Sequence, residues 1–248
     1  MNNHTKGIFF DLYGTLLILG DMKQAWADWI DVFYRSLCAQ GLALSKSEFC
    51  GRCEQFFSQP EPPADDSGLT VFERRLRRVA ESLGLRIERP QLANLATRMC
   101  AAWQAHVRLD PEAPQLLSRL QSADRKLALI SNFDHPPYVR QVLRSLELER
   151  FFSTILISGE VGFKKPDAQI FRLALGATRL QAHEVIHVGD TADDVEGAKA
   201  AGLRPIWLSR VSDPRHVRIL DYTQNANAPE HAGFSGLQTI AALSEIIG

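Results

Sequence analysis

The sequence has little net charge, few cysteines and no long apolar run, and each absence excludes a class of protein. Its 28 basic and 29 acidic residues leave a formal charge of −1, so the chain as a whole does not attract nucleic acid or anionic membrane. Four cysteines are too few for a disulfide framework in 248 residues. No apolar run approaches the roughly 18 residues of a membrane span, and Asp11 interrupts the first run too early for a signal peptide. We therefore expect a soluble, cytoplasmic protein with no nucleic-acid or membrane partner.

Two of the cysteines, Cys50 and Cys53, have the C-x-x-C spacing of some zinc and redox sites. No second Cys or His pair follows to complete a zinc site. Cys53 is also in helical phase with Phe49 and Phe56. The pattern favours two reduced thiols on a helix over a metal site.

A helical segment interrupts an alternating pattern of strands and helices. Apolar residues recur at helical spacing over 22–107, whereas short apolar runs alternate with amphipathic helices from 108 onward. Short, almost wholly apolar strands between helices are typical of a parallel sheet covered on both faces. The first strand has no partner in the helical segment and joins this later sheet most simply. The predicted strands are 7–10, 127–130, 154–157, 185–188 and 205–208.

These patterns predict an α/β fold with two domains. A Rossmann-like parallel sheet with helices on both faces is formed by 1–16 and 108–248, and an all-helical cap is inserted at 17–107. The polar stretch 210–233 is expected to be an irregular surface excursion, and a last helix is expected over 237–247.

Polar side chains follow four of the predicted strands, at the edge where ligands bind in open parallel sheets. The clusters are Asp11, then Ser131-Asn132, then Lys164-Lys165, then Gly189-Asp190 with Asp193-Asp194. Each also has a purely structural interpretation: Asp11 suits a turn completed by Gly14, and Thr191 with Asp194 matches a capping box. One polar cluster after each of four strands is the coincidence that favours a site.

The chemistry of these clusters suits a phosphate and a hard metal ion. Carboxylates that converge without His or Cys favour Mg²⁺ over zinc. A lysine neutralises a phosphate, while a serine hydroxyl and loop N–H groups can hold its other oxygens. A carboxylate beside such a site can attack phosphorus and form an aspartyl-phosphate, with the metal offsetting the repulsion between anions.

Four ordered motifs in this sequence resemble those of the haloacid dehalogenase superfamily. They are FDLYGTL at 10–16, ISN at 130–132, KPD at 165–167 and VGDTADD at 188–194. The helical segment also stands where that superfamily places its first type of cap. The resemblance therefore extends over the whole predicted core.

The resemblance implies a role for each matching residue. Asp11 is the nucleophile, Ser131 and Lys165 hold the phosphate, and Lys165 is preferred to Lys164 because it directly precedes the proline. The remaining predicted substrate-binding residues are Asn132, Gly14 and Thr15. The predicted Mg²⁺ ligands are Asp11, Asp190 and the main-chain carbonyl of Tyr13, with Asp194 in support.

Tyr13 departs from the phosphatase pattern of the superfamily. Most of its phosphatases have a second Asp at this position, as a general acid/base for the leaving group. A phenol, with an ordinary pKa near 10, is a poor base at neutral pH. Tyr at this position is similar to the 2-haloacid dehalogenases, which need no metal but typically have Ser where this chain has Asp190.

The retained acid at Asp190 favours phosphoryl chemistry. We predict a Mg²⁺-dependent hydrolase of a small phosphorylated metabolite that acts through a phospho-Asp11 intermediate, with Tyr13 in place of the usual acid/base. A metal-independent dehalogenase that uses the same Asp is the second interpretation. A non-catalytic binder of metal or phosphate is the third.

Overall fold

The structure, a computed structural model, describes residues 4–65, 68–210 and 237–247. The described residues divide into two compact units. One unit contains 4–19, 108–210 and 237–247, and the other contains 20–65 and 68–107. The first crossing between the units follows Leu19, three residues after the boundary expected from the sequence.

Eight strands lie in the described residues, and six of them form one wholly parallel sheet. The strands are β1 (Gly7–Phe10), β2 (Leu17–Leu19), β3 (Val107–Leu109), β4 (Lys126–Ser131), β5 (Thr154–Ile157), β6 (Val185–Gly189), β7 (Arg204–Leu208) and β8 (Gln238–Ile240). The spatial order of the sheet is β5-β4-β1-β6-β7-β8, with every neighbouring pair parallel. The sheet confirms the predicted α/β class and the pairing of the first strand with the later ones.

Nine α-helices lie in the described residues. They are α1 (Met22–Cys38), α2 (Lys46–Cys53), α3 (Val71–Ser82), α4 (Arg89–Gln104), α5 (Ala113–Ser122), α6 (Pro136–Ser145), α7 (Ser158–Val161), α8 (Ala168–Thr178) and α9 (Ala192–Ala200). Short 3-10 helices cover Glu149–Phe151, Ala182–Glu184 and Leu243–Ile247. In the described part of the chain, no helix has both the length and the apolar composition to cross a bilayer.

The sheet is buried on both faces, as its almost wholly apolar strands predict. Phe9 and Ile130 point to one face, where they pack with Phe171 of α8. Ile8 and Phe10 alternate with them along the strand and therefore point to the opposite face, where they are equally buried. Apolar residues therefore point to both faces of the strand, as in a sheet that is covered on both sides.

The helical unit is built from α1 to α4, and aromatic side chains fill its core. Trp29 of α1 contacts Phe33, Phe56 and Phe72 at ring-centroid distances of 5.0–6.1 Å. The cysteines of α2 are free thiols, and burial raises the pKa of Cys53 to about 12, so this thiol is a poor nucleophile at neutral pH.

Two predictions about secondary structure are wrong. The segment 17–107 is not helical at its ends, because β2 and β3 pair with each other there. The expected last helix over 237–247 is reduced to its final residues. Its apolar spacing fits a helix, but β8 instead pairs with β7, and Ser209 N donates to Ile240 O at 2.8 Å. The expected excursion at 210–233 lies outside the described residues beyond Arg210.

Candidate active site

Asp11 lies directly after β1, in the interior of the sheet, and begins a tightly bonded loop. Its N–H donates to Val188 O of the neighbouring strand at 2.9 Å. The loop closes on itself, since the N–H groups of Leu16 and Leu17 both donate to Leu12 O. The carboxylate of Asp11 is only 6% exposed. The loop therefore fixes a buried carboxylate at the carboxyl edge of the sheet.

Gly14 and Thr15 bring this loop against Asp190. Gly14 has a φ of +93°, and a Cβ at this position would lie 2.1 Å from Asp190 Oδ2, so only glycine leaves room for that carboxylate. Thr15 Oγ1 donates to Asp190 Oδ1 at 3.3 Å. The Gly14 N–H donates to Leu17 O. We predicted that both residues bind substrate, whereas their observed contacts shape the surroundings of Asp190.

Lys165 occupies the centre of the site and is 3% exposed. Its Nζ donates to Asp11 Oδ1 at 2.5 Å and to Asp194 Oδ1 at 2.6 Å. Lys164 is exposed, so the structure brings only the lysine next to the proline into the cluster. Lys165 therefore links the loop after β1 to the first turn of α9.

Asn132 holds the main chain of Lys165. Its Nδ2 donates to Lys165 O at 2.9 Å, and its Oδ1 accepts from Lys165 N at 2.9 Å. The nitrogen and the oxygen of its side-chain amide are thus both bonded to the lysine main chain, and the predicted substrate contact of Asn132 stays a prediction. These bonds fix the point from which the ammonium group reaches Asp11.

Asp194 has both carboxylate oxygens bonded. Oδ1 accepts from Lys165 and from His187 Nε2 at 2.8 Å, and Oδ2 accepts from Thr191 Oγ1 at 2.5 Å. The Thr191 capping box predicted from the sequence is therefore present together with the contact to the site. Burial opposes ionisation, but Lys165 and His187 hold the pKa of Asp194 below its ordinary value. Asp194 is thus an ionised anchor for Lys165.

His187 was missed in the sequence. It lies in β6, is fully buried, and packs edge-on against Phe171 with ring centroids 4.9 Å apart. Burial lowers its pKa, although Asp194 opposes that shift. His187 is the one polar side chain in the otherwise apolar strand β6, and this could have indicated a role, since a buried polar group needs a partner.

Asp11, Asp190 and Asp194 each offer a carboxylate oxygen within 4.8 Å of the others. Burial raises the pKa of Asp11 to about 6, although Lys165 lowers it. Burial, with the charges of Asp11 and Asp194, raises the pKa of Asp190 well above its ordinary value. One ammonium group thus leaves the negative charge of this cluster incompletely balanced.

The donor set fits a hard divalent cation. Asp11 Oδ2 is buried and has no hydrogen-bond partner among the described residues. Because both oxygens of Asp194 are already bonded, Asp11 and Asp190 are the carboxylates with capacity for a metal ion. Oxygen donors without His or Cys ligands are the kind of site that Mg²⁺ prefers.

Ser131 and Tyr13 complete the predicted set. Ser131 ends β4, the strand next to β1, and is 1% exposed. The Tyr13 ring stacks on Phe133 with centroids 5.2 Å apart. The Phe133 main chain is held by Ser158, whose Oγ accepts from Phe133 N at 2.9 Å. An aromatic pair therefore joins the loop after β1 to the loop after β4.

The motifs, the sheet and the clustered acids agree with comparisons to known proteins. The family model for haloacid dehalogenase-like hydrolases matches residues 5–202. The "Phosphoserine phosphatase" of Thermus thermophilus is 42% identical over 103 residues, which is 41% of this chain and 41% of that protein. The match therefore spans less than half of the length of this curated relative.

Solved structures share the fold over nearly the whole chain. The HAD phosphatase from Thermococcus onnurineus has a TM-score of 0.65 and 19% identity, covering 98% of this chain and 96% of that one. The 2-haloacid dehalogenase from Pseudomonas syringae pv. Tomato DC3000 has a TM-score of 0.61 and 22% identity with the same coverage. Identities this low show the fold alone. On the family match over 5–202, the chain belongs to the haloacid dehalogenase-like hydrolases.

Proposed function

We propose that this protein hydrolyses small phosphate monoesters, with Mg²⁺ as cofactor and Asp11 as the nucleophile. One observation carries the proposal: Asp11 has one oxygen bonded to Lys165, a second without a partner among the described residues, and Asp190 within ligand-sharing distance. The site thus brings together the proposed nucleophile Asp11, the positive charge of Lys165 and the proposed second metal ligand Asp190. The phosphatase relative supports the same reaction class.

In this mechanism, the Asp11 carboxylate attacks the phosphorus atom of the substrate. The new O–P bond forms as the ester O–P bond breaks, and the alcohol leaves as an alkoxide that takes a proton from water. Water then attacks the phosphorus of the aspartyl-phosphate, and inorganic phosphate leaves as the Asp11 carboxylate is restored. The bond from Lys165 Nζ to Asp11 Oδ1 fixes the orientation of the carboxylate for this attack.

In this proposal, Lys165 and Ser131 hold the phosphoryl oxygens. The two buried carboxylates of Asp11 and Asp194 raise the pKa of Lys165 above its ordinary value, more than offsetting the effect of burial, so the amine stays charged. A fixed charge of this kind stabilises the transferring group without reorganisation. Ser131 adds a buried hydroxyl at the end of the adjacent strand.

Asp11, Asp190 and the Tyr13 carbonyl would hold the cation. When bound, a divalent cation offsets the repulsion between carboxylate and phosphate and the charge that develops in transfer. Gly14 and Thr15 keep Asp190 in place for this role through close approach and a hydrogen bond. Asp194 contributes by orienting Lys165.

Tyr13 favours a second candidate, metal-independent dehalogenation at carbon by the same Asp11. The site provides no carboxylate at position 13 to protonate a poor leaving group, and a halide needs no proton. Against this candidate, a metal-free site leaves Asp190 beside the nucleophile without a cation to balance its charge, and its raised pKa means that the ionised form is disfavoured there. We therefore rank phosphoryl transfer first.

A substrate panel assayed with Mg²⁺ and with EDTA separates these two reactions. Phosphate release from small phosphorylated metabolites that requires Mg²⁺ is the expected result. Metal-independent chloride release from 2-chloropropionate without any phosphate release would instead establish the dehalogenase.

A melting experiment tests the non-catalytic alternative. Beryllofluoride with Mg²⁺ mimics a phosphoryl group on a carboxylate, and ligands that bind only the folded state raise Tm. A higher Tm together with turnover supports the enzyme. The same increase with no turnover of any substrate class would support a binding protein.

A further inference from the structure

Two consecutive carbonyl groups of the loop after β1 are held from outside the loop. The Arg210 guanidinium donates through Nη2 to Thr15 O at 2.8 Å. The main-chain N–H of Asp110 donates to Leu16 O at 3.0 Å. Arg210 follows β7 and Asp110 follows β3, so each holds this loop from a distant part of the sequence.

The two groups that hold the loop also form an ion pair with each other. Arg210 Nη2 lies 2.5 Å from Asp110 Oδ2, and the side chains are 12% and 2% exposed. The second oxygen, Asp110 Oδ1, accepts from Glu112 N at 2.8 Å. Asp110 is therefore fixed by its own turn, and its charge fixes Arg210 against Thr15 O.

A buried ion pair of this kind adds little net stability to a fold. Desolvation of both charges offsets most of their attraction, so apolar residues of similar size often serve a fold as well. Arg210 Nε and Asp110 Oδ2 also have no hydrogen-bond partner among the described residues, so the two side chains are joined by charge rather than by a well-directed hydrogen bond. The arrangement is better explained by what it holds in place.

The ion pair holds Thr15, whose side chain contacts the predicted metal ligand Asp190. Thr15 accepts from Arg210 at its carbonyl and donates from its hydroxyl to Asp190 Oδ1 at 3.3 Å. Thr15 also lies four residues after Asp11 in a loop that bonds to itself at Leu12. A shift of Thr15 would therefore change the separation of the Asp11 and Asp190 carboxylates.

We propose that Arg210 and Asp110 are positioning residues that set the geometry of the cation site through Thr15. The inference rests on the proposed function, because it concerns the carboxylates that would bind Mg²⁺. Neither residue is among the groups proposed to hold substrate or metal. Their contribution is made through the loop that carries the nucleophile.

The test measures Mg²⁺ affinity by isothermal titration calorimetry, together with kcat and KM for the best phosphate ester, on purified full-length protein. For R210M we expect Mg²⁺ affinity and kcat each to fall about 10- to 100-fold, the usual effect of removing a group that orients a metal ligand. KM should change less than about 3-fold, because phosphate contacts remain. R210K keeps the charge and should recover part of the loss.

A double-variant comparison tests the coupling. D110N should lower Mg²⁺ affinity and kcat about as much as R210M does. The double variant should be no worse than the more damaging single variant, because both substitutions break the same ion pair. If R210M fails to fold, R210K and D110N provide the same measurement with a smaller disturbance.

R140M is the matched control. Arg140 of α6 is 30% exposed and forms an ion pair with Glu160 of α7 at 2.8 Å, and neither residue is in the loop after β1. R140M should leave Mg²⁺ affinity and kcat within about 2-fold, whatever it does to Tm. This control separates the loss of an arginine ion pair in general from the loss of this one.

Two negative outcomes are distinguishable. If the unmodified protein binds Mg²⁺ and releases phosphate while R210M and D110N match it in both, the positioning role is overturned and the proposed function stands. If the unmodified protein neither binds Mg²⁺ nor hydrolyses any phosphate ester, the proposed function fails and this inference fails with it.

Discussion

The two sides of the site differ in how completely their polar atoms are bonded. On the bonded side, Asp194 accepts from three side chains, including Lys165 and His187. On the reactive side, Asp11 has a buried oxygen with no partner among the described residues, and the pKa of Asp190 is raised well above its ordinary value. The polar atoms of the bonded side are paired with one another, whereas the proposed function assigns the acids of the reactive side to a cation and a substrate. Acids of the same type thus have different surroundings on the two sides, and we propose different roles for them.

The largest effect is expected on the reactive side, from Asp11→Asn. The amide keeps the shape of the side chain but is not a nucleophile, so phosphate release should fall at least about 10³-fold. Single-turnover phosphate release, with circular dichroism to confirm folding, measures this. Turnover that survives within about 10-fold of the unmodified protein would remove Asp11 as the nucleophile.

Asp194→Asn and Asp190→Asn should have opposite effects on the stability of the metal-free protein. Asp194→Asn removes the charge that balances the ammonium group of buried Lys165, and should lower the free energy of unfolding by about 3–5 kcal/mol. Asp190→Asn relieves crowding between carboxylates, because a raised pKa means that the ionised form is disfavoured in the folded state. Asp190→Asn should therefore raise that free energy.

Urea unfolding in EDTA at pH 7 measures both variants side by side. Mg²⁺ titration of the same samples adds a second contrast, since Asp190→Asn should lose the cation although it is the more stable protein. Equal destabilisation by both substitutions would show that the two sides do not differ.

Tyr13→Asp should increase phosphatase activity by about 10²-fold on substrates with poor leaving groups, if the missing acid limits the reaction. Tyr13→Phe is the matched control, because it keeps the ring stacked on Phe133 and removes only the hydroxyl. It should change kcat less than about 3-fold. No gain from Tyr13→Asp would mean that leaving-group protonation is not the slow step.

The smallest effect is expected from Asn132→Ala. Loss of its two hydrogen bonds frees the Lys165 main chain, and we expect kcat to fall about 10-fold with KM nearly constant. Steady-state kinetics separates the two parameters. A raised KM with unchanged kcat would instead support direct substrate binding by Asn132.

Much of the bonded side and of the sheet could be predicted from sequence, because local pattern carries both. All five predicted strands lie within one residue of their predicted bounds, and polar residues of the site follow β1, β4 and β6 directly. Lys165 could be chosen over Lys164 because a proline restricts the residue before it. The acids at 11 and 190 meet because the strands that precede them pair directly.

The remainder depends on contacts between distant residues, which no local pattern encodes. Arg210 and Asp110 lie 100 positions apart, and Asp110 alone looks like an ordinary residue at a helix start. The pairing of β8 with β7 likewise overrides a helical spacing, because the sheet supplies hydrogen bonds to an edge that would otherwise lack them. Gly14 and Thr15 belong to the motif at 10–16 and were predicted to bind substrate, and their observed contacts are with Leu17 and Asp190.

A crystal of the protein grown with Mn²⁺ in place of Mg²⁺, and measured at the manganese absorption edge, tests the central claim most directly. The account predicts one anomalous peak bonded to a carboxylate oxygen of both Asp11 and Asp190, with Asp194 still bonded to Lys165. A peak bonded to only one of the two acids, or none at saturating Mn²⁺, would contradict the shared cation on which the proposed reaction depends.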